Sequence, residues 1–194
     1  MSFELVKEHV LAKLNNLSSN LVYHSKQHTL DVLNSLEELI IHENVDEHSA
    51  HLLRVAAIFH DTGFLEVYIN HEEKGCEYAK EWLPSFGYKD DDIARICDMV
   101  MATKIPHAPK DRFCEIICDA DLDYIGTKNY EEISKRLYKE WVHFDMVHSE
   151  EEWLDKQIGF LKMHTYFTPH FVKNRVPTKL ALLQRLEAEK AARS

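Results

Sequence analysis

The sequence predicts an all-α, single-domain helical bundle, and three observations carry that expectation. Apolar residues recur every three or four positions along most of the chain, the rhythm of amphipathic helices rather than the alternation of strands. Glycine and proline are scarce, five of each in 194 residues, whereas all-β chains use them at frequent turns. No linker, internal repeat or low-complexity tract divides the sequence, so residues 1–194 read as one domain. A chain of this length buries an adequate apolar core without disulfides or a structural zinc.

The elements follow in order. Residues 3–15 place Leu5, Val6, Val10, Leu11 and Leu14 on one side of a first helix. A second, over 25–42, repeats Leu30, Leu33, Leu36, Leu39 and Ile40. A third, over 47–60, repeats Leu52, Leu53, Ala56, Ala57 and Phe59, and Gly63 is positioned to stop it. Asn70 and Glu73 have capping-box spacing for a helix over 71–83, ahead of Pro84. Asp90, Asp91 and Asp92 supply the negative charge that a helix N-terminus favours, before Ile93, Ile96 and Val100. Ile105-Pro106 and Pro109 mark a loop. Further helices are expected over 112–125, 129–144, 149–166 and 178–191, with Pro177 near the start of the last.

Charge and composition narrow the function classes. A formal net charge of −10 and the lack of any basic run argue against a nucleic-acid polymer as partner. A small anionic substrate is still compatible, because a local cation reverses the field inside a pocket. No apolar stretch approaches the roughly 20 residues needed to span a bilayer. The N-terminal segment has acids and an amphipathic period instead of a signal peptide's layout, so a cytoplasmic protein without a membrane partner is expected. Cys76, Cys97, Cys114 and Cys118 form no CxxC pair and read as reduced, buried thiols. Cys114 and Cys118, one helical turn apart, are a weak zinc alternative.

Most of the 13 histidines stand in no constellation, His9, His42, His48, His51, His143, His148, His164 and His170 among them. His60-Asp61 stands out. His60 falls three and four residues after Ala57 and Ala56, so it projects from the core-facing stripe, and Asp61 follows at the helix end. Burying an unpaired carboxylate costs several kcal/mol or more, and a divalent cation removes that penalty. A simple His–Asp hydrogen bond at a helix end is the alternative. The segment 116–126 adds three carboxylates to an apolar helix, at positions 119, 121 and 123. Residues two apart point in roughly opposite directions on a helix. Asp121 has Ile117, Cys118, Tyr124 and Ile125 as neighbours one turn away, which makes it the buried carboxylate. Asp119 is expected to support the site from outside it or to face solvent. His28 lies early in its helix, one turn after His24.

Taken together, Tyr23-His24-Ser25-Lys26-Gln27-His28, Phe59-His60-Asp61-Thr62-Gly63, Asn70-His71-Glu72-Glu73-Lys74-Gly75, Thr103-Lys104 and Cys118-Asp119-Ala120-Asp121 resemble the HD-domain superfamily. The match runs in order across residues 20–130, with the helices of 129–194 expected to pack on that region. The resemblance implies an HD-type helical bundle, phosphoester hydrolysis, and a divalent ion held by His28, His60, Asp61 and Asp121. Substrates across the superfamily include nucleotides, cyclic nucleotides and alarmones. Thr62-Gly63-Phe64-Leu65 precede Glu66 here, a departure from the alarmone hydrolases, and the Gly-Tyr-Pro signature of the HD-GYP type is missing. Thr103-Lys104 stand where that type has paired histidines, so one ion is expected, with His71 and His107 as candidates for a second.

Roles for the remaining residues follow from position. His71 opens a helix, where free amides favour a phosphate, and is a candidate for proton donation to a leaving group. Lys74 and Lys104 are candidate cations for a phosphoryl group, and Glu72 a candidate to orient His71. Mixed imidazole and carboxylate ligands suit Mn²⁺, Fe²⁺, Co²⁺, Ni²⁺ or Mg²⁺. The substrate expected is a nucleotide or small phosphorylated metabolite. Two other readings remain: a di-iron oxygenase on the same fold, or a non-catalytic ligand-binding module.

Overall fold

The computed structural model describes residues 2–193. Among these, nine α-helices and three short 3-10 turns account for the regular structure, with no strand. The helices are α1 (Phe3–Leu14), α2 (Lys26–His42), α3 (Glu47–Phe59), α4 (His71–Trp82), α5 (Asp90–Ala102), α6 (Arg112–Asp121), α7 (Tyr130–His143), α8 (Glu150–Met163) and α9 (Pro169–Arg193). Side-chain caps start several of them. Asp46 accepts from Ser49 N at 3.0 Å, Asp111 from Phe113 N at 2.9 Å, and Ser149 from Glu152 N at 3.1 Å.

Helix α3 is buried nearly all round: Leu52, Leu53, Val55, Ala56, Ala57, Ile58 and Phe59 have lost contact with solvent. It is the central rod, touched by α1, α2, α5 and α6. A helix apolar on every side must be enclosed by others, and that enclosure fixes where its C-terminal end delivers His60 and Asp61. One connected set of buried apolar side chains runs from Val6 in α1 to Leu186 in α9. Helix α9 packs on α8 and on the 3-10 turn Asp123–Gly126. None of the described helices is long and apolar enough to cross a membrane.

Several local expectations are corrected. Leu5 is 58% exposed; the buried face of α1 is Val6, Val10 and Leu14, one helical turn apart. Gly63 does not cap α3 but lies in the 3-10 turn Thr62–Leu65. A Cβ there would stand 1.9 Å from the His71 carbonyl oxygen, so only glycine admits α4 so close. Gly75 plays the same part on α4, where a Cβ would lie 2.9 Å from Phe59 O. Asn70 does not build a capping box. Its backbone is left-handed, at φ 61°, and its side chain instead accepts from Lys104 Nζ at 3.0 Å. The helix expected over 112–125 ends at Asp121. Helix α9 begins nine residues ahead of the expected start and carries Pro177 in its interior. Asp119 and Thr168 anchor that early start, overriding the helix-breaking preference of Pro177.

Candidate metal centre

Three elements bring the chemistry together: the N-terminal turn of α2, the end of α3, and the end of α6. Ser25 caps α2 through His28 N at 3.4 Å, setting the backbone of the first ligand candidate. Helix α3 stops at Phe59, and Thr62 Oγ1 donates back to Phe59 O at 2.7 Å, closing the end of the rod. His60, 1% exposed, donates from Nδ1 to Ala57 O at 2.7 Å. That bond fixes the ring and leaves Nε2 facing the cluster, the arrangement a metal-ligating imidazole needs.

His60 Nε2 lies 3.4 Å from His28 Nε2, 3.2 Å from Asp61 Oδ2 and 3.6 Å from Asp121 Oδ1. His28 Nε2 is 3.0 Å from Asp121 Oδ1 and 3.5 Å from Asp61 Oδ2. Among the described residues, His28, His60 and Asp121 form a group whose ligand atoms all lie within 4.8 Å of one another. Asp61, the fourth candidate, joins through the two histidine contacts. Its Oδ2 is buried with no hydrogen-bond donor aimed at it, a costly state for a carboxylate oxygen. Two imidazoles flanked by two carboxylates, with one carboxylate oxygen orphaned, fit a divalent first-row ion.

The electrostatics agree. Burial pushes His60 down, but the adjacent Asp61 and Asp121 carboxylates outweigh it and raise the imidazole from 6.5 to about 9. Burial pushes Asp61 up, yet His60 and the neighbouring histidines hold it far below the usual carboxylate range. The ion-free cluster thus demands positive charge. A proton on His60 supplies some of it, and a divalent cation would supply more.

Around the cluster lies a cavity of about 400 Å³, reached by Asp61 and Asp121 and lined by His24, His71, Glu72 and Lys104. A smaller one of about 260 Å³ meets His28 and Asp121 from the α2 side, where Asp31 and Asp123 add further carboxylates. The larger cavity gathers the groups suited to an anion. His71 donates from Nδ1 to Tyr68 O at 3.1 Å and stacks on Phe64 at 3.9 Å between ring centres. Its Nε2 stands 3.6 Å from Asp61 Oδ1 and 3.4 Å from Glu72 Oε1.

A family model for the HD domain matches residues 26–123, half of the chain, and takes in all four ligand candidates. The chain belongs to the HD-domain family. A crystal structure of a predicted HD superfamily hydrolase from an uncultured Thermotogales bacterium, at 1.45 Å resolution, is similar in fold. Its TM-score is 0.56 at 20% identity, over 94% of this chain and 91% of that one. No curated protein matches the sequence.

Within this HD domain the other candidates are placed unequally. Lys104 lines the cavity and is held by Asn70 and Glu73. Lys74 lies elsewhere, its ammonium 2.8 Å from Glu66 and 3.0 Å from Glu77, beside the Tyr78 ring. His107 borders a separate cavity with His164 and is not in the ligand group. Asp119 is neither solvent-facing nor part of the HD centre. It is 0% exposed and accepts from Phe167 N at 3.0 Å, Thr168 N at 2.8 Å and Thr168 Oγ1 at 2.6 Å.

Sequence reasoning missed the His24–Glu140 pair. Glu140, on α7, is 0% exposed and accepts from Tyr23 N at 2.8 Å, His24 N at 3.1 Å, the His24 imidazole, and Tyr68 OH at 2.9 Å. Burial pushes His24 down, but this hydrogen bond and the nearby carboxylates raise it overall. A signal existed: Ile133, Leu137 and Trp141 on α7, with Phe144 just past its end, form an apolar stripe, and Glu140 falls inside it.

Proposed function

We propose that this HD domain is a metal-dependent phosphohydrolase that cleaves a phosphoester of a small metabolite. The observation that carries the reading is the convergence of His28, His60, Asp61 and Asp121 beside a cavity lined by cationic and proton-carrying groups. A divalent ion in that position supplies a water of lowered pKa and polarises a phosphoryl oxygen.

The chain's own residues handle charge and protons around that centre. His24, whose imidazole is raised against the pull of burial by its hydrogen bond to Glu140, turns a proton-carrying ring toward the cavity. Lys104 adds a second cation, positioned by Asn70 and Glu73 rather than left free in solvent. His71 has Nδ1 committed to the backbone, so Nε2 is its working atom, oriented by Glu72. From there it passes a proton to the leaving alcohol. Phe64, buried and stacked on both His24 and His71, holds the two rings near one another.

The test joins elemental analysis of the purified protein to a phosphoester panel, with Asp121→Ala as control. One divalent ion per chain, and hydrolysis lost in the variant, are expected. Full activity in Asp121→Ala overturns the site.

A further inference from the structure

The cavity beside the metal centre is not built like a nucleotide or polyphosphate site. Away from the ligands one wall comes from α7, α8 and the loop between them, with Tyr130, Leu137, Trp141, Met146, Trp153 and Phe160, and faces the segments before α4 and after α5. Trp141 and Trp153 pack edge to face, 5.4 Å between ring centres. This is an aromatic chamber, open at one end to Asp61 and Asp121.

Several polar atoms in its walls are already committed to one another. Tyr130 OH and Ser134 Oγ both donate to Gln157 Oε1 at 2.9 Å, and Gln157 Nε2 donates to Trp153 O at 3.4 Å. Tyr68 OH is spent on Glu140. A purine base or a ribose entering here would bury its own donors and acceptors against apolar rings, which is costly. Cations are few as well. Lys104 and Lys156 are the lysines at the wall, each also paired to a glutamate, Glu73 and Glu152. A phosphoryl group beyond the one at the metal centre would meet only Lys156, whose ammonium is shared with Glu152.

We infer that the substrate is the phosphoester of an apolar, ring-bearing alcohol carrying a single phosphoryl group, with Trp141 and Trp153 selecting the ring. The inference rests on the phosphohydrolase reading and adds the substrate class. A fused aromatic ring fits a cavity of about 400 Å³. Withdrawing roughly 100 Å² of its surface from water is worth on the order of 50-fold in kcat/KM over a small polar ester.

The test uses the Mn²⁺-loaded protein and compares 1-naphthyl phosphate with glycerol phosphate, AMP and ATP. In parallel, binding of the inert 1-naphthylmethylphosphonate and of methylphosphonate is followed by calorimetry. A preference near 50-fold for the naphthyl ester, cut at least tenfold in Trp153→Ala, supports the assignment. Trp153→Leu keeps the chamber filled if the alanine variant fails to fold, and should lose about half of the preference on a logarithmic scale. If no ester is cleaved but the naphthyl phosphonate binds selectively through Trp153, the chamber stands and the hydrolase reading falls. If AMP, ATP or glycerol phosphate is cleaved as well as the naphthyl ester, and both phosphonates bind alike, the inference is overturned while the hydrolase reading survives.

Discussion

Asp119 and Asp121 stand two residues apart on one helix, and the structure gives them opposite work. Replacing Asp119 by alanine removes the acceptor of three donors at the start of α9: Phe167 N, Thr168 N and Thr168 Oγ1. At about 2 kcal/mol for each unsatisfied donor near a charged acceptor, the loss is about 6 kcal/mol. Some of it is returned. Burial lifts Asp119 to about 6 from 3.8, above the opposing pull of its hydrogen bonds. Keeping it ionised at neutral pH therefore costs about 3 kcal/mol, which the variant escapes. The net destabilisation is about 3 kcal/mol, or roughly 10 °C in Tm for a chain of this size. Asp121→Ala removes the acceptor of His28, so it should lower the Tm of the ion-free protein less than Asp119→Ala does, and abolish the rise on adding Mn²⁺. That rise is about 2.7 kcal/mol at a hundredfold excess over Kd. Thermal unfolding of both variants, with and without Mn²⁺, reads the two effects separately. A metal response lost in Asp119→Ala and kept in Asp121→Ala would refute the assignment.

Three further outcomes follow from the same geometry. His60 sits at about 9 in the ion-free fold against 6.5 for a free imidazole, so its contribution to stability is present below pH 6.5 and lost as pH rises through 9. An ion needs the neutral ring and displaces that proton, so affinity should fall about tenfold per pH unit below pH 9. Calorimetry in buffers of different ionisation enthalpy should show about one proton released per ion at pH 7, and zero release contradicts it. Gly63→Ala drives a Cβ into His71 O and should cost at least about 3 kcal/mol, seen as a lowered denaturation midpoint. Glu140→Ala strips the acceptor from Tyr23 N, His24 N and Tyr68 OH; kcat should fall at least tenfold, and the apparent pKa of His24, followed by NMR titration, should drop.

The helices and the candidate ligands are not equally legible in the sequence. Helix periodicity placed α2 and α3 within a residue or two, because their buried faces are long and regular. The helix-face reading turned Asp121 toward His28 and Asp119 away from it, as residues two apart diverge. It named the wrong one as the buried carboxylate, since Asp119 is the fully buried one and Asp121 only half-buried. It misjudged Asp119 because it could not see that α9 returns to cover the far side of α6. Glu140 was hidden for the same reason: its partners, Tyr23 and His24, are more than a hundred residues away. Lys74 and Lys104 look alike in sequence, and only the loop that carries Lys104 back toward Asn70 and Glu73 distinguishes them. His28 depended on family resemblance until the structure set its Nε2 3.0 Å from Asp121.

The most direct check of the metal centre is anomalous diffraction from crystals grown with Mn²⁺, recorded on either side of the manganese edge. A single peak within bonding distance of His28 Nε2, His60 Nε2, Asp61 Oδ2 and Asp121 Oδ1 is the expected result. No peak there at saturating Mn²⁺, or a peak only between His107 and His164, would contradict it.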